Sequence, residues 1–268
     1  MSGPLVNAII NKRYDAAEML IEHGANVNCV VSNDPLVCWC AWNITEVGCV
    51  LVKLLVNNGA DVNSMSIGGY PLIYRLAHSV EMLRWIIQRG ANVNLQCKKG
   101  QPIHLLIDNS YRRTPDALCE AISILLTNGA DVNSKDTSGR TPIWLVTHHY
   151  TPQHDDLVRL LIEAGADINV QCDGSTPLIN AIHSRCVGLA ELLIELGADI
   201  NLKDNEGRTP LHEASRLKNL TMIELLIEKG AHINIRCDRG YTPFSMVCYH
   251  RVIYKDVVDY LSTIPGIE

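Results

Sequence analysis

The stretch DNEGRTPLHEASRLKNLTMIELLIEKGAHINI, residues 204–235, decides how this chain folds. Thr209-Pro210 opens a short helix, because Thr is a good N-cap and Pro at the first helical position forfeits no hydrogen bond. Leu211, Ala214 and Ser215 give that helix small and apolar contact positions. A turn at Lys218-Asn219 leads into a second helix, in which Met222, Ile223, Leu225, Leu226 and Ile227 are almost continuous. A helix so apolar must lie between neighbours. Gly230 supplies a left-handed C-cap, and residues 231–240 read as an extended hairpin tip leading to Thr242-Pro243.

The same two markers recur along the whole chain. Gly-Ala-(Asn/Asp/His)-(Val/Ile)-Asn begins at Gly24, Gly59, Gly90, Gly129, Gly165, Gly197 and Gly230, with gaps of 35, 31, 39, 36, 32 and 33 residues. Pro followed by an apolar residue falls at Pro4, Pro35, Pro71, Pro102, Pro142, Pro177, Pro210 and Pro243, in step with the first marker. A fixed period of this size marks stacked units that cannot bury their apolar faces alone.

Thr209-Pro210-Leu211-His212, followed by Leu225-Leu226-Ile227 and Gly230-Ala231, resembles the ankyrin repeat, whose period is about 33 residues. The resemblance covers essentially the whole chain. It implies an all-α solenoid of about eight helix-turn-helix units with hairpin tips, forming one domain over residues 1–268. The units fall near 1–31, 32–66, 67–97, 98–135, 136–170, 171–203, 204–236 and 237–268. Stability then accumulates unit by unit. The chain enters at Gly3-Pro4-Leu5 without a hairpin, which reads either as a capping unit or as a piece cut from a longer protein, the balance lying with the piece. The last unit ends Ser262-Thr263-Ile264-Pro265-Gly266 where others have Gly-Ala, and reads as a C-terminal cap. Extra residues between helices fall near 43–46, 110–116 and 150–155.

The chain of 268 residues is 47% hydrophobic and 19% charged, with a formal net charge of −6. That composition excludes disorder. The most apolar run, 49–56, is broken by Lys53, so no membrane insertion is expected. Ten cysteines without a CxxC pair read as reduced thiols in a cytoplasmic setting, with the nucleus also open. The acidic balance argues against nucleic acid.

No motif for catalysis or phosphate binding is present, so no enzyme and no cofactor is expected. His148, His149, His154, Asp155 and Asp156 are the densest set of potential metal ligands and read as a helix end and loop. Cys97, Cys172 and Cys237 occupy the place of Asp204 in their own units, two or more units apart, and read as buried thiols. The resemblance gives His104 and His212 a structural hydrogen-bonding role, and Asn63, Asn133, Asn169 and Asn201 a role in the turns.

The resemblance also implies that residues six and seven places after each Pro line a concave groove. Trp42, His78, Asn109, His148, His149, His183, Arg216, Tyr249 and His250 fall there. Hairpin-tip cations Lys98, Lys99, Arg140, Arg208 and Arg239 extend that side, while many glutamates lie on second helices. The expected function is a non-catalytic, monomeric protein-binding module, taking an acidic or phosphorylated protein or peptide on the concave face. Two alternatives stay open. One is a sensor for a phosphorylated small molecule or oligonucleotide; the other is the substrate-receptor or regulatory part of a larger enzyme, such as a ubiquitin ligase.

Overall fold

The computed structural model describes residues 3–42, 46–110, 113–248 and 255–267. The helices pair in sequence order and group into two compact units, residues 1–131 and 132–268. In the first unit α1 (Pro4–Ile10) pairs with α2 (Tyr14–Glu22), α3 (Leu36–Cys40) with α4 (Glu46–Asn57), α5 (Leu72–Leu76) with α6 (Val80–Gln88), and α7 (Pro102–Asp108) with α8 (Pro115–Thr127). In the second, α9 (Pro142–His148) pairs with α10 (Asp155–Glu163), α11 (Pro177–His183) with α12 (Val187–Glu195), α13 (Pro210–Arg216) with α14 (Leu220–Glu228), and α15 (Pro243–Cys248) with α16 (Lys255–Ser262). Within the second unit α9, α11, α13 and α15 pack side by side; within the first, α3 packs on α5 and α5 on α7.

Local chemistry starts and stops these helices as the repeat pattern requires. The Thr176 hydroxyl accepts the Ile179 N–H at 3.2 Å, and Asn219 accepts that of Met222 at 3.3 Å. At α13 the cap is reinforced by His212, whose Nδ1 accepts the Thr209 backbone N–H at 3.1 Å while Nε2 lies 3.0 Å from the Tyr241 carbonyl of the next tip. The imidazole is buried, and burial lowers its pKa, so the neutral ring serves as acceptor on one side and donor on the other. His104 repeats the first contact with the Gln101 N–H at 3.2 Å. At the other end Gly230, at φ 93°, lets the Ala231 N–H reach back to the Leu226 carbonyl at 2.8 Å, a turn closed to residues with a Cβ by the positive φ. Met222, Ile223, Leu225 and Leu226 of α14 are buried, as the near-continuous apolar run required.

The tips differ from the expected extended hairpins. Only Val30–Val31 with Asp34–Pro35 forms a two-residue antiparallel ladder among the described residues; Met65–Pro71, Cys97–Gly100 and Cys172–Ser175 are single bridges. In two tips a carboxylate closes the loop instead. Asp204 accepts the Glu206 and Arg208 N–H groups at 2.8 and 2.9 Å and the Arg208 Nε at 2.9 Å; Asp136 does the same for Ser138 and Arg140. Where cysteine takes that place the thiol is buried and donates to a carbonyl, Cys97 to Gly100 and Cys172 to Gly139. Nine cysteines are free of disulfides among the described residues, and burial pushes the Cys38 and Cys40 thiols up to about 12.

The hairpin asparagines do more than brace their own turns. Asn133 Nδ2 donates to the Gly165 carbonyl at 2.9 Å while its Oδ1 accepts the Asp167 N–H at 2.8 Å. Asn28 makes the same pair of bonds to Gly59 and Asp61, and Asn94 to Gly129 and Asp131. Asn63, Asn169 and Asn201 accept from Asn92, Asp199 and His232 at 2.8 Å. Each rung therefore joins one repeat to the next. In the last repeat Asn234 finds the Gly266 carbonyl, so that glycine fills the place of the missing Gly-Ala string.

Candidate functional site

In the second unit α9, α11 and α13 are buried from the Pro through the fifth following residue, and the sixth is the first exposed one: His148 on α9, His183 on α11, Arg216 on α13. Burial is forced because each helix packs on its partner helix and on the first helices beside it. The exposed ends then form a row of polar side chains. His148 stacks on Trp144 at 4.6 Å and meets His149 edge-on at 5.0 Å. Burial, then the charges of His149 and Arg140, lower the pKa of His148.

A residue outside the expected set holds two members of this row, His183 and Arg216. Glu213, the third residue after Pro210, is 1% exposed, and its Oε2 accepts from Arg216 Nε at 2.9 Å and Arg216 Nη2 at 2.7 Å. His183 Nε2 lies 3.2 Å from the same oxygen. Arg208 Nε lies 2.9 Å from both Asp204 Oδ2 and Glu213 Oε1; its hydrogen is aligned with Asp204, so Glu213 Oε1 is held by charge alone. Burial by itself would raise the Glu213 carboxyl, but the hydrogen bonds from His183 and Arg216 and the nearby guanidinium charges hold it at about 2. Arg208, Arg216 and Arg239 line one cavity of about 190 Å³ together with Glu206, Cys237, Tyr241 and Met246. That is below the range of roughly 300 Å³ at which small-molecule sites begin, and suits a single side chain.

The expected tip cations divide on inspection. Arg140 and Arg208 are matched by the carboxylates that close their own loops, so they are structural charges first. Arg239 has no carboxylate within 4.0 Å among the described residues. Lys98 is exposed and lies against Gly69, and Lys99 Nζ sits 6.0 Å from the Tyr70 ring.

In the first unit Trp42 is 63% exposed and Arg75 of α5 lies 4.4 Å from its ring. Arg75 was also outside the expected set. Tyr74 stacks on Tyr70 at 5.4 Å, and Arg113 lies over Tyr74 at 5.9 Å. His78 is exposed, while Asn109 donates to the Leu105 carbonyl at 2.9 Å and so terminates its own helix. Tyr249 and His250 lie outside the described residues, as do Asn43, Ile44 and Thr45. Arg75 carries a sequence signal, the one charge in the apolar first helix LIYRL; Glu213 sits in the polar helix PLHEASR and carries none so simple.

The set around His148 serves other ends. His154 accepts the Thr151 N–H, and Asp155 accepts the Tyr150 hydroxyl. No group of three or more metal-ligating side chains comes together among the described residues. Nor is any helix there long and apolar enough to cross a membrane.

Comparison with known proteins agrees with this architecture. A family model of ankyrin repeats in three copies matches residues 116–204 and 188–268. The chain belongs to the ankyrin-repeat family. Ankyrin repeats are generally protein–protein interaction modules. An ankyrin repeat protein of Acanthamoeba polyphaga mimivirus is 26% identical over 122 residues, 45% of this chain and 11% of its own length. Human Rabankyrin-5 is 25% identical over 173 residues, 56% of this chain and 14% of its own. The chain thus spans only about a tenth to a seventh of these curated relatives. Among solved structures, the ankyrin repeat domain of Bcl-3 superposes with a TM-score of 0.67 at 20% identity, covering 97% of this chain and 98% of that one. The human ASB11 ankyrin repeat domain gives 0.64 at 24%, covering 85% and 98%.

Proposed function

We propose that this ankyrin-repeat chain is a non-catalytic binding module that docks an acidic protein segment on its first-helix ends. The observation that carries the reading is the row His148, His183 and Arg216, set on buried helices, with His183 and Arg216 fixed from below by Glu213 and His148 stacked on Trp144. Side chains held in place lose less freedom on binding, which favours a pre-organised surface. Arg216 and Arg239 flank the cavity that a partner's acidic side chain would enter. Arginines and aromatics commonly dominate such contacts.

The test is affinity capture with the full chain, comparing wild type with Arg216→Glu/Arg239→Glu and with Glu195→Arg on the exposed side of α12. The captured protein should be lost with the double variant and kept with Glu195→Arg; the reverse pattern defeats the reading. An acidic partner favours the protonated form of His148, so affinity rises as pH falls. Because burial lowers this histidine, much of the gain should come below its ordinary value near 6.5.

A further inference from the structure

Arg75 poses a question of charge that the chain does not answer itself. It is 9% exposed, on a helix whose neighbours Leu72, Ile73 and Leu76 are buried. Its Nε is fully enclosed and finds no acceptor. Among the described residues no carboxylate lies within 4.0 Å of the guanidinium, and its one close partner is the face of Trp42 at 4.4 Å. A cation over an aromatic ring gains modestly. Enclosing an ion costs more than that unless a counter-charge is present. The ring alone leaves this side chain short.

The nearby carboxylates are committed elsewhere. Asp34 and Asp61 share the surroundings of Cys38 with Arg75, yet Asp34 accepts the Ile67 N–H and Asp61 the Asn63 N–H. Half-buried arginines of the second unit present the opposite case: Arg140 and Arg208 each hold a carboxylate of their own loop at 2.7–2.9 Å. On the same helix and just before it, Tyr74 and Tyr70 carry further cations over their rings, Arg113 and Lys99. An anion is thus favoured here. The exposed ring of Trp42 beside it offers apolar area to the residue that carries or adjoins that anion.

We propose that Trp42 and Arg75 anchor the carboxylate side chain of an aspartate or glutamate on an extended segment of a partner protein. The carboxylate pairs with the terminal guanidinium nitrogens, which unlike Nε keep some exposed surface, and adjacent apolar atoms lie on the indole. Arg offers a planar fork that a carboxylate can meet with two parallel hydrogen bonds. This anchor rests on the reading of first-helix ends as the docking surface, but not on the row in the second unit.

The test selects displayed random dodecapeptides on the immobilised full chain and measures the winners against variants. Selected peptides should share an acidic position next to an apolar residue, and their affinity should fall more than about tenfold for Arg75→Gln and for Trp42→Ala. Changing the peptide's acid to its amide should cause the same loss on wild type and little more on Arg75→Gln, the signature of a direct pair. Arg75→Lys should restore only part, since a point charge lacks the fork. Arg75→Gln should melt at or above the wild-type temperature; should it fail to fold, Trp42→Ala decides, because an exposed ring can be removed without unfolding. Peptides without an acidic position, or unchanged binding to Arg75→Gln and Trp42→Ala, overturn the anchor. If Arg216→Glu abolishes binding while Arg75→Gln does not, the anchor fails and the second-unit surface stands; loss on Arg75→Gln alone supports the anchor and defeats that row.

Discussion

In the second unit the buried charge of a first helix, Glu213, is met by Arg208, Arg216 and His183. In the first unit the buried charge of a first helix, Arg75, is met by an aromatic face. The same contrast runs through the surfaces. Every large hydrophobic side chain that stands exposed among the described residues, from Ile10 to Ile67, lies in the first unit. Three of the four first helices there start at Gly3, Pro35 and Pro71, with no polar cap side chain, where the second unit places Thr141, Thr176 and Thr209 and the Thr176 hydroxyl caps α11. The family model matches from residue 116 onward, following the regular repeats. A repeat array can hold its fold with the regular units while the departing ones carry features that its own packing does not require.

Core deletions should show the largest effect and ask whether the two units are equally well built. Leu226→Ala and Leu193→Ala in the second unit, and Leu83→Ala in the first, each remove a fully buried side chain. Each should cost about 2–5 kcal/mol in chemical unfolding. Stacked units can unfold separately, so Trp144 and the tryptophans of the first unit should be followed as distinct signals. Wild-type midpoints would break the assignment of these helices to the core.

The charges should behave oppositely. Glu213→Ala strands Arg216 and half-strands Arg208, and should destabilise by roughly 3 kcal/mol. Arg75→Met removes an unanswered ion and should be neutral or stabilising. Equal losses in thermal melts would dissolve the comparison.

Acid should separate the units as well. The Glu213 carboxyl drops from an ordinary 4.5 to about 2, so its contribution is complete above the unfolded value and is lost as pH falls through 2. By linkage that is worth roughly 3 kcal/mol. The Trp144 transition should therefore weaken between about pH 5 and 2, and Glu213→Gln should flatten that dependence. The smallest effect concerns caps: Thr176→Ala should cost about 1 kcal/mol by calorimetry. A silent result would mean packing alone sets where α11 begins.

Much of this was legible in sequence because local rules and period agree. Thr-Pro starts, Gly-Ala stops and apolar second helices are fixed by capping and burial, which act over a few residues. The row His148, His183, Arg216 follows from counting six places after Pro. Glu213 and Arg75 did not emerge, because whether a charge on a first helix is buried, and part of what answers it, depends on residues about 30 positions away, as with His183 and Trp42. The tip cations Arg140 and Arg208 read as surface charge because a loop-closing carboxylate four residues before is invisible without the loop's shape.

The asparagine rungs have a consequence for how such an array can change length. Each rung is built from one five-residue string twice over: its asparagine reaches forward, donating to the glycine carbonyl of the next copy and accepting from the N–H two residues beyond that glycine. A unit thus carries both halves of the joint. Duplicating or excising a whole unit would leave the joint between its former neighbours chemically complete, whereas removing half a unit would leave one amide or one carbonyl unserved. Growth and shrinkage in whole steps is the route the backbone chemistry leaves open.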